Sequence, residues 1–122
     1  MNDAIIIDDN RSAADAFYQM LKVLDISACV AYDAGSAMSL LSGFTPSLIL
    51  LDINMPDVDG LEILAYLRRE PRFIPVPVIV ITSDDQPETR ARVMKGGATA
   101  MIIKPAKLES LEENLKKIGI VN

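Results

Sequence analysis

Histidine, cysteine and long apolar segments are missing or scarce in this chain of 122 residues, and each absence narrows its possible functions. The chain has no histidine and a single cysteine, Cys29. Cys29 therefore cannot form an internal disulfide, and its apolar surroundings in the sequence predict a small buried residue. No apolar run approaches the roughly 18 residues of a membrane helix, and the N-terminus lacks a signal-peptide pattern. These absences predict a soluble, cytoplasmic protein with no membrane partner.

The charge balance excludes a second group of partners. The formal net charge is -5, the pI is near 4.6, and there is no basic cluster, so we expect no direct contact with nucleic acid. A cation or a basic protein surface is the favoured partner. Half of the residues are hydrophobic and the mean hydropathy is +0.25, so we expect one folded domain over residues 1–122.

The most informative stretch is SLILLDINMPDVDG, at residues 47–60. Its unbroken apolar run, residues 48–51, is typical of a strand buried on both faces of a parallel sheet. Asp52 then lies at the carboxyl end of that strand, the edge where ligands bind in open α/β sheets. Taken alone, Asp52 is either a reactive carboxylate or a residue that only ends the strand.

Strand and helix patterns alternate five times along the chain, which predicts an α/β fold with a parallel sheet and helices on both faces. Met38, Leu41 and Phe44 are expected to point inward from the second helix. The fourth helix has a weak apolar stripe and is a plausible moving part. The predicted strands are 4–7, 27–31, 48–51, 78–82 and 98–103. The first helix is predicted to follow a cap at Asp9 or Asn10, with apolar positions Ala13, Phe17, Met20, Leu21 and Leu24, and the other predicted helices are 34–44, 61–70, 87–95 and 108–118.

Polar side chains stand where the predicted strands end. They are Asp8 and Asp9, Asp52, Thr82 and Ser83, and Lys104. Two carboxylates about 5 Å apart repel by roughly 3 kcal/mol at an effective dielectric near 20, so three of them need a cation or raised pKa values. All the candidate ligands are oxygen atoms and histidine is absent, so Mg²⁺ or Mn²⁺ is favoured over zinc, iron or copper.

This set of side chains suits phosphoryl transfer to a carboxylate. Asp52 beside a divalent cation can attack phosphorus and form an aspartyl phosphate. Lys104 would offset the charge on the phosphoryl oxygens, and the Thr82 hydroxyl could donate to the same group. Pro105 could hold a cis peptide bond that directs Lys104 across the site.

In these residues the chain resembles the receiver domain of two-component response regulators, from Ala4 to Ile118. The resemblance rests on Asp8-Asp9, on Asp52 followed by Asn54, Met55, Pro56 and Gly60, on Thr82-Ser83, and on Lys104-Pro105. It implies a flavodoxin-like (βα)5 doubly wound sheet with strand order 2-1-3-4-5. It further implies that Asp52 is the phosphoacceptor. The implied metal ligands are Asp9, Asp52 and the Asn54 carbonyl, with Asp8 acting through water.

The resemblance also implies how the domain works. A histidine kinase or histidine phosphotransfer protein donates the phosphoryl group, and the receiver catalyses its own phosphorylation and slow dephosphorylation without being a conventional enzyme. Thr82 would be the switch hydroxyl, while Asn54, Ser83 and Asp84 would modulate the reaction. The output protein is unknown, and the domain is expected to be a monomer or an activation-dependent dimer.

One position departs from the family pattern. The family usually has Tyr or Phe three residues before the lysine of the fifth strand, where this chain has Met101. Met is flexible and can fill the same space. We therefore expect phosphorylation to be intact, and its transmission to the face formed by the fourth helix and fifth strand to be weakened.

Three rival functions share parts of this pattern. A flavodoxin-like cofactor site is disfavoured because Asp8 and Asp9 would repel a phosphate. A phosphatase of the haloacid dehalogenase type needs Asp-x-Asp after the first strand, which this chain lacks. A receiver-like docking module that is not phosphorylated stays open. We expect no output domain after the fifth helix. The chain is then either a stand-alone receiver that starts at Met1 or one domain of a longer protein.

Overall fold

The computed structural model describes residues 3–56 and 58–122. Met1, and Asp57 in the predicted turn after the third strand, lie outside these described residues. Within the described ranges, no helix is both long enough and apolar enough to cross a membrane.

Five parallel strands form the central sheet, in the order β2-β1-β3-β4-β5. This is the 2-1-3-4-5 order that the family resemblance implied. β3 and β4 are buried along their whole length, which agrees with their unbroken apolar sequences. The strands are β1 (Asp3–Ile7), β2 (Ser27–Ala31), β3 (Leu48–Asp52), β4 (Val78–Thr82) and β5 (Ala100–Ile103).

Five helices cover the two faces of the sheet. Phe17 and Leu111 belong to the hydrophobic cluster on the α1 and α5 face, and Leu41 and Leu64 to the cluster on the opposite face. Successive strand residues alternate between the two clusters, as the period-two geometry of a strand requires. The helices are α1 (Arg11–Val23), α2 (Ala34–Gly43), α3 (Gly60–Arg69), α4 (Pro87–Lys95) and α5 (Leu108–Ile118).

Side-chain caps fix the starts of the first three helices. Asn10 accepts a hydrogen bond from the Ala13 amide at 3.0 Å, Asp33 accepts one from Ser36 at 2.7 Å, and Asp59 accepts one from Leu61 at 2.9 Å. Each cap satisfies an amide that has no partner inside the helix. α1 and α3 therefore begin close behind the carboxyl ends of β1 and β3, which positions the loops that carry the site.

Two burial predictions are wrong. Cys29 is exposed because β2 is an edge strand and alternate residues of it face solvent. Met38 is 39% exposed, while Ala37 and Leu41 form the buried side of α2. β5 also begins two residues later than predicted, at Ala100. A short antiparallel hairpin, Asn54–Met55 with Val58–Asp59, was not predicted.

Candidate functional site

The register of the sheet brings the predicted site residues to one edge. Ile7 of β1 pairs with Leu51 of β3, so the next residue of each chain segment, Asp8 and Asp52, lies at the same edge of the sheet. Thr82 pairs with Ile103, and Lys104 is the next residue. The Lys104 amide also donates to the Thr82 carbonyl at 2.7 Å, which continues the strand pairing into the site. Parallel pairing thus gathers four side chains that are far apart in sequence.

An acidic cluster of Asp8, Asp9 and Asp52 forms the centre of the site. One carboxylate oxygen from each residue lies within 4.8 Å of the others. Asp8 is 2% exposed and Asp52 is 4% exposed. Burial raises the pKa of Asp8 above its usual value; the Asn10 amide and Lys104 oppose this shift, and the Asp52 carboxylate adds to it. The cluster is therefore electrostatically unfavourable without added positive charge.

Lys104 supplies part of that charge. Its Nζ lies 3.0 Å from Oδ2 of Asp8 and 3.3 Å from Oδ2 of Asp52. Burial alone would lower the pKa of Lys104, but the two carboxylates outweigh burial and raise it above its usual value. Lys104 is therefore charged at neutral pH. The peptide bond between Lys104 and Pro105 is cis.

The cluster fits a divalent cation with oxygen ligands. Oδ2 of Asp8 is buried and accepts no aligned hydrogen bond from any residue that the structure describes, although the Lys104 ammonium is close. A buried carboxylate oxygen with free lone pairs is a ligand that Mg²⁺ favours. The residues present therefore fit Mg²⁺.

Thr82 and Asn54 are joined beside the acidic cluster. Thr82 is fully buried, and its hydroxyl donates to Oδ1 of Asn54 at 2.9 Å. The Asp84 amide donates to the same hydroxyl oxygen at 3.0 Å. The Asn54 amide in turn donates to Oδ1 of Asp52 at 2.8 Å. The proposed switch hydroxyl is thus linked by hydrogen bonds to the loop that follows Asp52.

The remaining predicted residues lie at the margin of the site. Ser83 and Pro105 are exposed and border an apolar groove of about 370 Å³ between α1 and the loop after β5. Met101 is half-buried and packs against the hydrophobic cluster of α2, α3 and α4. The full lining of the groove is Ala13, Ala16, Phe17, Met20, Ser83, Lys104, Pro105 and Ala106.

Thr89 was missed by the sequence analysis. It lies in the first turn of α4, is 4% exposed, and donates from Oγ1 to Oδ2 of Asp84 at 2.5 Å. The Gln86 amide donates to Oδ1 of Asp84 at 2.9 Å. These bonds hold the pKa of Asp84 below its usual value, with the Thr89 hydroxyl as the largest cause. A threonine five residues after an acidic residue at a helix start was the available signal.

A doubly wound five-stranded sheet with an acidic cluster, a lysine and a buried hydroxyl at its carboxyl edge defines a receiver-type signalling domain. The sequence matches the response regulator receiver domain family over residues 4–116. The chain belongs to this family, whose domains act in two-component signalling.

Individual relatives agree with this assignment. The polar-differentiation response regulator DivK of Brucella anthropi is 28% identical over 112 residues, covering 92% of this chain and 91% of DivK. The response regulator MprA of Mycolicibacterium vanbaalenii is 28% identical over 114 residues, covering 93% of this chain. This chain spans 48% of MprA, about half of its length. A solved structure, the signal receiver domain of the DNA-binding response regulator merR from Colwellia psychrerythraea 34H, superposes with a TM-score of 0.90 at 27% identity, covering 97% of this chain and 98% of that chain.

Proposed function

We propose that this domain, over residues 1–122, accepts a phosphoryl group on Asp52 from a phosphohistidine of a histidine kinase or histidine phosphotransfer protein, with Mg²⁺ bound. The observation that carries the proposal is the position of Lys104, whose Nζ lies 3.3 Å from Oδ2 of a nearly buried Asp52 carboxylate. The ammonium stands where negative charge would build up on the phosphoryl oxygens during transfer.

The transfer step uses residues already in place. A carboxylate oxygen of Asp52 attacks phosphorus, the bond between phosphorus and the donor nitrogen breaks, and its electron pair stays on the donor histidine. Lys104 pairs with the incoming oxygens, and the Thr82 hydroxyl, now bonded to Asn54 two residues after Asp52, turns to donate to them. In dephosphorylation, water attacks phosphorus, the bond between phosphorus and the Asp52 oxygen breaks with its electron pair staying on the carboxylate, and inorganic phosphate leaves.

The metal ligands in this proposal are Asp9, Asp52 and the carbonyl of Asn54, with Asp8 contributing through a water molecule. Bound Mg²⁺ would add positive charge against the equatorial phosphoryl oxygens. Mg²⁺ keeps several waters and binds few carboxylates, which suits a site that also receives a phosphoryl oxygen. Asp8 is given the water-mediated position because the family resemblance implies it, and its buried Oδ2 can accept a hydrogen bond from that water.

The donor protein has a surface to dock on beside the acceptor. The apolar groove between α1 and the loop after β5 ends at Ser83 and Lys104, next to the acidic cluster. A partner helix that places apolar side chains in this groove would bring its phosphohistidine to the edge of the sheet. The output protein is expected to bind the face of α4, β5 and α5.

Intact mass measured after incubation with acetyl phosphate tests the proposal. With Mg²⁺ we expect the mass of one added phosphoryl group, and without Mg²⁺ or in Asp52→Asn we expect none. Asp25→Asn is the matched control, because Asp25 precedes β2 at the opposite edge of the sheet and the change removes the same charge. No added mass under any condition would instead support the docking module that is not phosphorylated.

A further inference from the structure

The first turn of helix α4 is bonded to Asp84 and not to the side chain of its own N-cap residue. Its N-cap residue, Gln86, makes no side-chain capping bond, and only Thr89 and Val93 of the helix are buried. Few buried contacts make a helix easy to displace. The bonds that fix its start come from Asp84, which accepts from the Gln86 amide with one oxygen and from the Thr89 hydroxyl with the other.

The same residue is tied to the switch hydroxyl through its backbone. The Asp84 amide donates to Oγ1 of Thr82, and Thr82 donates to Oδ1 of Asn54. The side chains of Asn54, Thr82 and Thr89, together with the backbone amide and the carboxylate of Asp84, thus connect the Asp52 loop to α4. Since Thr89 is 4% exposed, water does not readily replace its bond to Asp84.

A threonine hydroxyl has one proton to donate, and here Thr82 gives it to Asn54. If Thr82 turns to donate to a phosphoryl oxygen on Asp52, its bond to Asn54 must break. The Asp84 amide either follows Oγ1 or loses its acceptor. Because both carboxylate oxygens of Asp84 are bonded to the start of α4, a shift of Asp84 moves the first turn of the helix.

We propose that Thr89 is a positioning residue that couples the state of the Thr82 hydroxyl to the first turn of α4 through Asp84. This inference rests on the proposed function, since it concerns how phosphorylation of Asp52 is transmitted. The role belongs to the Thr89 hydroxyl rather than to its methyl group, so it can be tested with a substitution of nearly equal volume.

The first test uses the unphosphorylated protein. Urea unfolding of Thr82→Val, Thr89→Val and the double variant gives a double-mutant cycle. If the two hydroxyls belong to one hydrogen-bonded chain, the folding equilibrium constant of the double variant differs from the product of the single effects by at least ~3-fold. Additive effects would show that the two residues are independent and would overturn the coupling.

The second test compares amide chemical shifts before and after phosphorylation with acetyl phosphate and Mg²⁺. We expect Thr89→Val to be phosphorylated like the wild type, but with the shift changes at residues 87–90 reduced by at least ~2-fold. Thr89→Ser keeps the hydroxyl and should restore them, which a purely structural role would not predict. Thr45→Val, at an exposed loop position, is the control. Its shift changes at residues 87–90 on phosphorylation should be as large as in the wild type.

The possible failures are distinguishable. A wild-type protein that takes up no phosphoryl group overturns the proposed function and this role of Thr89 together. Phosphorylation of Thr89→Val with undiminished α4 shifts, or a failure of Thr89→Ser to restore them, overturns the role of Thr89 alone.

Discussion

Gly60 is the residue on which the loop after Asp52 packs most tightly. A Cβ atom built at Gly60 would lie 2.3 Å from Cα of Ile53 and 2.9 Å from the carbonyl oxygen of Asp52. Both are backbone atoms, and neither can move aside without moving the end of β3, which carries Asp52. The glycine is therefore required by close approach, at the point where α3 starts beneath the site.

We predict that Gly60→Ala lowers the free energy of unfolding by about 1–3 kcal/mol, the usual cost of overpacking a tight site. It should also slow phosphorylation by acetyl phosphate, because Ile53 and Asp52 must shift. Gly43→Ala is the matched control: nothing lies within 4 Å of the added methyl at the end of α2. Urea unfolding and initial rates of phosphorylation measure both effects, and equal behaviour of the two variants would contradict the prediction.

At this scale the sequence predicts which residues meet but not how they bond. Asp52, Thr82 and Lys104 could be assigned to one edge because each follows a recognisable strand. The bond between Thr82 and Asn54 could not be foreseen, because it depends on the path of a loop. Thr89 was missed for the same reason. Met101 is half-buried, and its weakening of signal transmission stays a prediction.

Between elements, Arg68 joins the end of α3 to two connecting loops. Its guanidinium donates to the carbonyl oxygens of Gly97 at 2.8 Å, Phe73 at 3.0 Å, Ile74 at 3.1 Å and Val76 at 3.0 Å. Burial lowers its pKa, and no acidic side chain in the described part of the chain pairs with it. Arg68 therefore satisfies backbone acceptors at the amino edge of the sheet, opposite the acidic cluster.

We predict that Arg68→Ala lowers the free energy of unfolding by roughly 2–3 kcal/mol, since hydrogen bonds to a charged group are lost and several carbonyls are left without a partner. Arg68→Lys should recover only part of this, because one ammonium cannot replace a planar guanidinium. Arg69 is the exposed neighbour, and Arg69→Ala should change the free energy of unfolding by less than about 0.5 kcal/mol. Comparable losses for Arg68→Ala and Arg69→Ala in urea unfolding would refute the role of this side chain.

Helix and strand positions were largely predictable, and the exceptions have physical causes. The bounds of β2, β4, α4 and α5 match the prediction, and a proline or glycine marks an end of each of these elements except β2. The exposure of Cys29 follows from the position of β2 at the edge of the sheet, which its local sequence does not encode. The burial of a strand residue depends on which strands and helices lie beside it, so the apolar sequence of β2 alone does not predict the exposure of Cys29.

Across the whole molecule, the site follows from topology. Parallel strands joined by right-handed crossovers must end at a common edge, so the acidic residues, the hydroxyl and the lysine converge without being near in sequence. The order of the strands was available only through the family resemblance. The distances within the acidic cluster, and the raised pKa of Asp8, required the structure.

Mg²⁺ should stabilise the entire fold, because the acidic cluster exists only in the folded protein. At a free concentration ten times the dissociation constant, a ligand of the native state adds RT ln 11, about 1.4 kcal/mol, to the free energy of unfolding. We expect this gain in urea unfolding with Mg²⁺ and its loss on addition of a chelator. Asp9→Asn should abolish most of it, whereas Asp25→Asn, which removes the same charge at the opposite edge, should keep it. A gain of equal size in both variants would mean that Mg²⁺ screens the net charge of -5 instead of binding the cluster of Asp8, Asp9 and Asp52.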